Sequence, residues 1–223
     1  MNFTEPSFPS LIIFNLILLF VISAHLWAVR STRIAAGSLA WLSLICCITF
    51  TGVIAQYPMP GLMIFMMGIL IVSILFALSS VGKKLSITIP IYLLVAFQGF
   101  RLPLELVLHS WAEQGTIPIT MTWTGMNFDI ISGIVALLSI PLVKKNKKIA
   151  WVPNIIGLAL LANVIRVAIL SSPVPFGWQV DPPLQLALYF PYVLIVPVCV
   201  GGALIAHLVL TRALLSLNQK PPL

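Results

Sequence analysis

The sequence predicts an all-α membrane protein: a bundle of seven transmembrane helices with the N-terminus outside and the C-terminus in the cytoplasm. Three observations carry this reading: the composition, the length of the apolar runs, and the placement of basic residues between them. Of 223 residues, 60% are hydrophobic and 8% charged, and the mean hydropathy is +1.11. A soluble domain needs about 25% charged residues to wet its surface. The solvent around this chain is therefore mostly lipid, and residues 1–223 form a single polytopic domain with short loops.

A helix crosses the hydrocarbon core with about 20 apolar residues. Runs of that kind fall at 11–29, 36–55, 60–79, 86–109, 128–143, 151–170 and 184–211, the fifth being the shortest. The residues before the first run, Met1–Ser10, contain no Lys or Arg. There is thus no basic n-region of a signal peptide, and the run is expected to stay as a span. The second run carries Cys46 and Cys47 and the seventh carries Cys199. Adjacent cysteines have neither metal-ligand nor disulfide spacing, so these read as small packing residues. In the third run Met59, Met63 and Met67 recur every four residues beside Met66, a stripe that reads as packing rather than as a copper site. His25 and His207 fall near cytoplasmic helix ends and read as solvated histidines. Pro90, Pro103, Pro191 and Pro197 interrupt spans four and seven, where missing N–H groups predict bends.

Orientation follows from the loops. Arg30 and Arg33 follow span one, Lys83 and Lys84 follow span three, Lys144, Lys145, Lys147 and Lys148 follow span five, and Arg212 and Lys220 follow span seven. The intervening loops around 56–59, 110–127 and 171–183 contain neither Lys nor Arg. This alternation fits an odd number of spans with the first loop inside. It also explains the formal charge of +7 without nucleic acid, which is excluded as a partner. The expected partners are membrane lipids, and the expected location is a cell membrane, a bacterial inner membrane on account of the small size and short loops. Every lysine lies in a predicted loop or tail, which excludes a Schiff base to retinal.

Two arginines remain inside spans, Arg101 and Arg166, each about 15 residues from the predicted cytoplasmic end. At 1.5 Å per residue this places them roughly 20–25 Å in, in the outer half of the bilayer. On span four, Gln98, Arg101, Glu105 and His109 are spaced by three, four and four, and share a sector of roughly 80°. Such a stripe must face the bundle interior or a wet cavity. Asn127 and Asp129 open span five, with Gly133 placed for close helix approach, and Asn163 shares a face with Arg166 on span six.

These residues predict one buried polar site in which two arginines balance Glu105 and Asp129. Glu105, His109 and Asp129 are the candidate catalytic groups. Gln98, Arg101, Asn127, Asn163 and Arg166 are the candidate substrate-binding groups, with the arginines suited to an anionic group. No metal site is predicted, and no motif names a cofactor. The ligand class expected is lipid-like, or a small amphipathic molecule with an anionic group, that is bound or transformed. A carrier or receptor using the same site without catalysis is the alternative, and an assembly subunit with a purely structural charge network is the third. The loops 110–127 and 171–183 emerge above the site, as a lid or as interfacial segments carrying Trp111, Trp123 and Trp178.

Overall fold

The computed structural model describes residues 3–56 and 58–217, and among them every regular element is helical. In chain order these are α1 (Phe8–Val29), α2 (Thr32–Phe50), a short α3 (Val53–Gln56), α4 (Pro58–Leu78), α5 (Ser80–Thr88), α6 (Ile91–Phe97), α7 (Arg101–Glu113), α8 (Ile130–Lys145), α9 (Trp151–Ser171) and α10 (Gly201–Ser216). A 3₁₀ turn, Gln98–Phe100, joins α6 to α7, and a π turn, Ile195–Val200, leads into α10. Among the described residues, six segments are long and apolar enough to cross a membrane: Phe8–Val29, Thr32–Phe50, Gly61–Leu78, Ile91–Glu113, Lys147–Ser171 and Tyr192–Ser216. Their outward faces carry bare hydrocarbon, including Leu16 and Leu19 on α1 and Ile64 and Leu75 on α4, and so does Leu138 on the shorter α8. Apolar exposure on that scale is a lipid-facing surface, not a water-facing one.

The segment expected as span five departs from the plan, and its geometry explains why. α8 has 16 residues, about 24 Å of helix against a hydrocarbon core of about 30 Å. It runs antiparallel to α7, with Gly133 against Leu102 and Leu137 against Gly99, so Asp129 comes level with Glu105. α8 therefore begins about 12 Å short of the Glu113 end of its neighbour. The preceding stretch supplies the missing depth by tucking into the bundle, with Thr116, Ile117, Met121, Thr122 and Asn127 buried. Irregular backbone at such depth is tolerated only where protein satisfies it. Here the N–H groups of Thr116, Thr122 and Asn127 donate to Trp111 O, Ile119 O and Thr122 O. The stretch 110–127, read as a lid or as an interfacial segment, is in large part interior. Trp111, expected at the membrane interface, is fully buried: its indole N–H donates to Ser10 Oγ at 2.9 Å, and its ring packs on Phe14 and Tyr192.

Two other segment boundaries move. Span four was expected from residue 86, but Ser79 caps a separate α5 by accepting from Val81 N and Gly82 N at 3.2 and 3.3 Å. Pro90 then restarts the chain, and the spanning rod is Ile91–Glu113. Within that rod Pro103 cannot donate to the carbonyl of Gly99, and the turn just before it tightens to 3₁₀. Span seven was expected from residue 184 but starts at Tyr192 and runs to Ser216. Arg212, read as a loop residue, lies in α10, where its Nη1 donates to Ala77 O at 2.5 Å and Ser79 O at 3.0 Å. It thereby satisfies open carbonyls at the end of α4. Lys220 lies outside the described residues, as does the side chain of Met59.

α10 is the central helix, packed against α4, α5, α6 and α9, with Gly201, Ala203, Ala206 and Ala213 at its buried positions. The core divides into one cluster around Leu94, Val95, Ala136, Val209 and Leu210, another around Phe14, Leu104, Leu108, Trp111 and Tyr192, and a smaller one of Ile45, Ile69, Val193 and Val196. The first sits at the basic end of the bundle, where the Lys144 ammonium lies 5.0 Å from the Tyr92 ring centroid. Gly133 holds α8 close to α7: a Cβ there would meet Leu102 N at 2.5 Å. Gly133→Val should therefore lower stability by about 1–3 kcal/mol, read as an earlier thermal unfolding transition in detergent. An unchanged transition would show that this approach is not tight.

Candidate functional site

The site grows from Arg101, which stands near the middle of the Ile91–Glu113 rod and is 1% exposed. An unpaired guanidinium at that depth costs several kcal/mol, so the surrounding helices are organised to satisfy it. Its Nε donates to Asp129 Oδ2 at 2.6 Å and its Nη2 donates to Asp129 Oδ1, a two-pronged ion pair between α7 and the start of α8. Its Nη1 donates to the Gly157 carbonyl on α9 and reaches Nε2 of His207 on α10, each at 3.1 Å. Gly157 is required here, because a Cβ at that position would run into the His207 imidazole.

His207 is fully buried, and its bonds define its ring. Nε2 faces a guanidinium N–H and must accept, so Nδ1 carries the proton and donates to Asn154 Oδ1 at 2.9 Å. Asn154 Nδ2 donates to Thr211 Oγ1 at 2.8 Å, and Thr211 Oγ1 donates back to His207 O at 2.9 Å. The chain from Asp129 through Arg101 and His207 to Asn154 and Thr211 thus leads toward the basic end and ties four helices together. Sequence reasoning missed Asn154, His207 and Thr211. The available signal was the i, i+4 placement of His207 and Thr211 on one helix face.

Toward the other end the polar face continues with Glu105, also 1% exposed. Both of its carboxylate oxygens accept from Asn127 Nδ2 at 3.0 Å. Asn127 Nδ2 also donates to Met121 O at 3.1 Å, and Asn127 Oδ1 accepts from Asp129 N at 3.1 Å. Ser132 Oγ donates to Asp129 Oδ1 at 3.1 Å. Arg101 spends its charge on Asp129, and Glu105 pairs with an amide. The buried cluster therefore holds one carboxylate more than it holds guanidinium groups.

Of the residues predicted for this site, Arg101, Glu105, Asn127 and Asp129 come together as expected. Gln98 also faces inward, donating from Nε2 to Ala203 O at 3.3 Å, with Oε1 buried and unpartnered. His109 lies apart: its ring stacks on Trp123 at 4.1 Å and Nε2 sits 3.6 Å from Glu113 Oε1. Arg166 and Asn163 do not join the cluster. Arg166 is exposed, donates to Asn163 Oδ1 at 2.9 Å and lies over the Trp178 ring at 5.7 Å, while Asn163 Nδ2 donates to Met126 O at 2.8 Å. The expected meeting of two arginines in the outer half of the bilayer is thus replaced by one central arginine. The physical reason is the later start of the spanning rod at Ile91, which brings Arg101 to about 15 Å from that end. His25 donates to or accepts from Ser38 Oγ at 2.9 Å, well away from the partners of His207.

Arg101, Glu105 and Asp129 border a cavity of about 120 Å³ whose remaining wall is apolar apart from Ser172. Met63 and Met67 of α4 and Leu104, Leu108 and Cys199 form part of it, and Ser172 and Val174 close it from the loop after α9. Met63 and Met67 are also exposed on the lipid-facing surface, so the cavity reaches toward the bilayer beside α4. The volume would hold on the order of ten waters or the polar end and first carbons of an amphipathic molecule. Asp129→Asn should destabilise the fold by about 3–5 kcal/mol, because it leaves a buried guanidinium unpaired. The double variant Arg101→Met with Asp129→Leu should recover much of that loss. Equal melting of the single variant and the wild type would dissolve the idea of a pair that organises the bundle. No known protein family, curated protein or solved structure matches this chain.

Proposed function

We propose that this multi-pass protein of a cell membrane spans it with seven segments, N-terminus out and C-terminus in, α8 being completed by the tucked-in stretch before it. In this reading the cavity beside Glu105 binds, and in an enzyme transforms, a lipid-like or small amphipathic molecule. The observation that carries it is the combination in one wall of three ionisable groups with an otherwise hydrocarbon lining open toward the bilayer. A purely structural network gains nothing from lining a cavity, whereas a binding site needs convergent polar groups in an apolar recess.

The arrangement suggests which end of the molecule goes where. Arg101 is held on three sides by Asp129, Gly157 and His207, and Arg166 lies outside, so no guanidinium pair stands ready for an anionic group. The polar group with acceptor capacity to spare is Glu105, and the ligand end that suits it is a hydrogen-bond donor such as a hydroxyl or an amine. The hydrocarbon part would lie along Met63, Met67 and Leu108. In an enzyme Glu105 is the acid–base group within reach, held in place by Asn127, which Asp129 N and Met121 O fix in turn. The carrier reading draws its support from the π turn Ile195–Val200, several residues of which also wall the cavity. Such turns are frequent at functional sites and mark helices that shift register.

Two measurements test this. Small molecules retained through purification, identified by mass spectrometry, should be depleted about tenfold or more in Glu105→Gln, which preserves shape and removes the titratable carboxyl group. Equal retention would return the cluster to a structural role. For topology, a membrane-impermeant thiol reagent on intact cells should label Thr124→Cys and leave Lys147→Cys unlabelled in a cysteine-free background, since both positions are exposed. The reverse pattern would invert the proposed orientation.

A further inference from the structure

A second and larger cavity, of about 730 Å³, lies at the basic end between α1, α2, α4, α6 and α10. We propose that it holds a hydrocarbon chain of an acidic phospholipid from the adjoining leaflet, with the phosphate met by Arg30, Arg33, Lys83 and Lys84. This assignment is independent of the site beside Glu105.

The cavity exists because α2 stands away from the bundle. Over its most apolar stretch only 11% of α2 is buried, against 56% for the Ile91–Glu113 rod. Its far half is anchored by Ile45, which packs with Ile69, Val193 and Val196, and its near end is tied to α1 by the turn at Arg30 and Ser31. Between these anchors a Cβ on Gly37 would find nothing within 4 Å. The space lies within the roughly 300–1,000 Å³ range of small-ligand sites, and its lining is aromatic and aliphatic, with Trp27, Trp41, Phe76 and Phe97 prominent. The few polar lining groups are His25, Ser38 and Ser73, and His25 Nε2 and Ser38 Oγ bond to each other at 2.9 Å. A hydrocarbon chain suits such a wall.

Charge selects the headgroup. Arg30 and Arg33 flank the turn between Ala28 and Ile34, both of which line the cavity, and Lys83 and Lys84 precede the lining residue Leu85. All four are exposed, and the Arg30 guanidinium sits 5.3 Å from the Trp27 ring centroid, an arrangement typical of the headgroup level. The chain's Asp and Glu residues, Glu5, Glu105, Glu113, Asp129 and Asp181, all lie in other parts of the fold. A cluster of cations without acids beside an apolar recess attracts an anionic lipid, each cation contributing about 1 kcal/mol near the surface.

The test is native mass spectrometry of the purified protein titrated with phosphatidylglycerol or phosphatidylcholine of equal chain length. Phosphatidylglycerol should bind more tightly, and Arg33→Gln with Lys84→Gln should weaken it about 25-fold, roughly fivefold per cation. Gly37→Phe, whose ring enters the empty space, should weaken both lipids, whereas Gly37→Ala should not. Photo-crosslinking of the wild type with a diazirine-tailed phosphatidylglycerol keeps the proposal testable if Gly37→Phe does not fold: adducts should map to Trp41 and Phe76. Equal affinity for the two headgroups, binding indifferent to Gly37→Phe, adducts confined to outward residues such as Leu44 and Ile64, or a neutral isoprenoid or quinone recovered from the cavity would each overturn it.

Discussion

The fold is organised around a guanidinium that cannot be left alone. Arg101 stands near the middle of a buried rod and is only 1% exposed, so protein groups must supply most of its solvation. Asp129, the Gly157 carbonyl and His207 take over that role from three other helices. Each of these contacts imposes a requirement of its own. Asp129 must reach the level of Glu105, so the stretch before α8 tucks inward; Gly157 must lack a side chain so that the imidazole fits; and His207 must present an accepting Nε2, which Asn154 secures by accepting from Nδ1. In hydrocarbon the alternative to this network is an unpaired ion, and the cost of that alternative makes the helix positions mutually dependent.

The same constraint accounts for the irregular backbone. A polypeptide inside a membrane normally stays helical because its amides have no other partners. Here the stretch from Gln114 to Asp129 leaves that regime, with its N–H groups bonded locally and Asn127 serving Glu105, Met121 O and Asp129 N at once. The 3₁₀ turn before Arg101 and the π turn before α10 lie on either side of the same region. Departures from α geometry therefore collect where charge, cavity and proline coincide.

Charge also divides the molecule along its axis. The cations outside the spans gather at one end, beside the large apolar recess under α2, while Glu113 and Asp181 mark the other. The middle carries the compact cluster with its surplus carboxylate and its small cavity. Two recesses of different chemistry thus occupy different depths, one walled mostly by hydrocarbon and without a charged side chain, the other with an ionic floor.

The sequence by itself determined that the chain lives in lipid, that its basic residues fall at one side, and that the polar stripe from Gln98 to Glu105 turns inward. These follow from composition, from spacing along a helix and from the cost of charge in hydrocarbon, all of which are local properties. It also indicated Gly133 as a point of close approach and Asn127 with Asp129 as part of the site. The tertiary structure alone decided that Arg101 pairs with Asp129 rather than with Glu105 four residues along its own helix, and that Arg166 stays outside. It also decided that His207 is an interior partner and that α8 begins part-way through the bundle. The physical reason is that a long side chain chooses among neighbours set by helix offsets and loop paths, and those offsets depend on where Pro90, the Ser79 cap and the tucked-in stretch place each rod. Hydropathy along one segment carries no information about its level against the next.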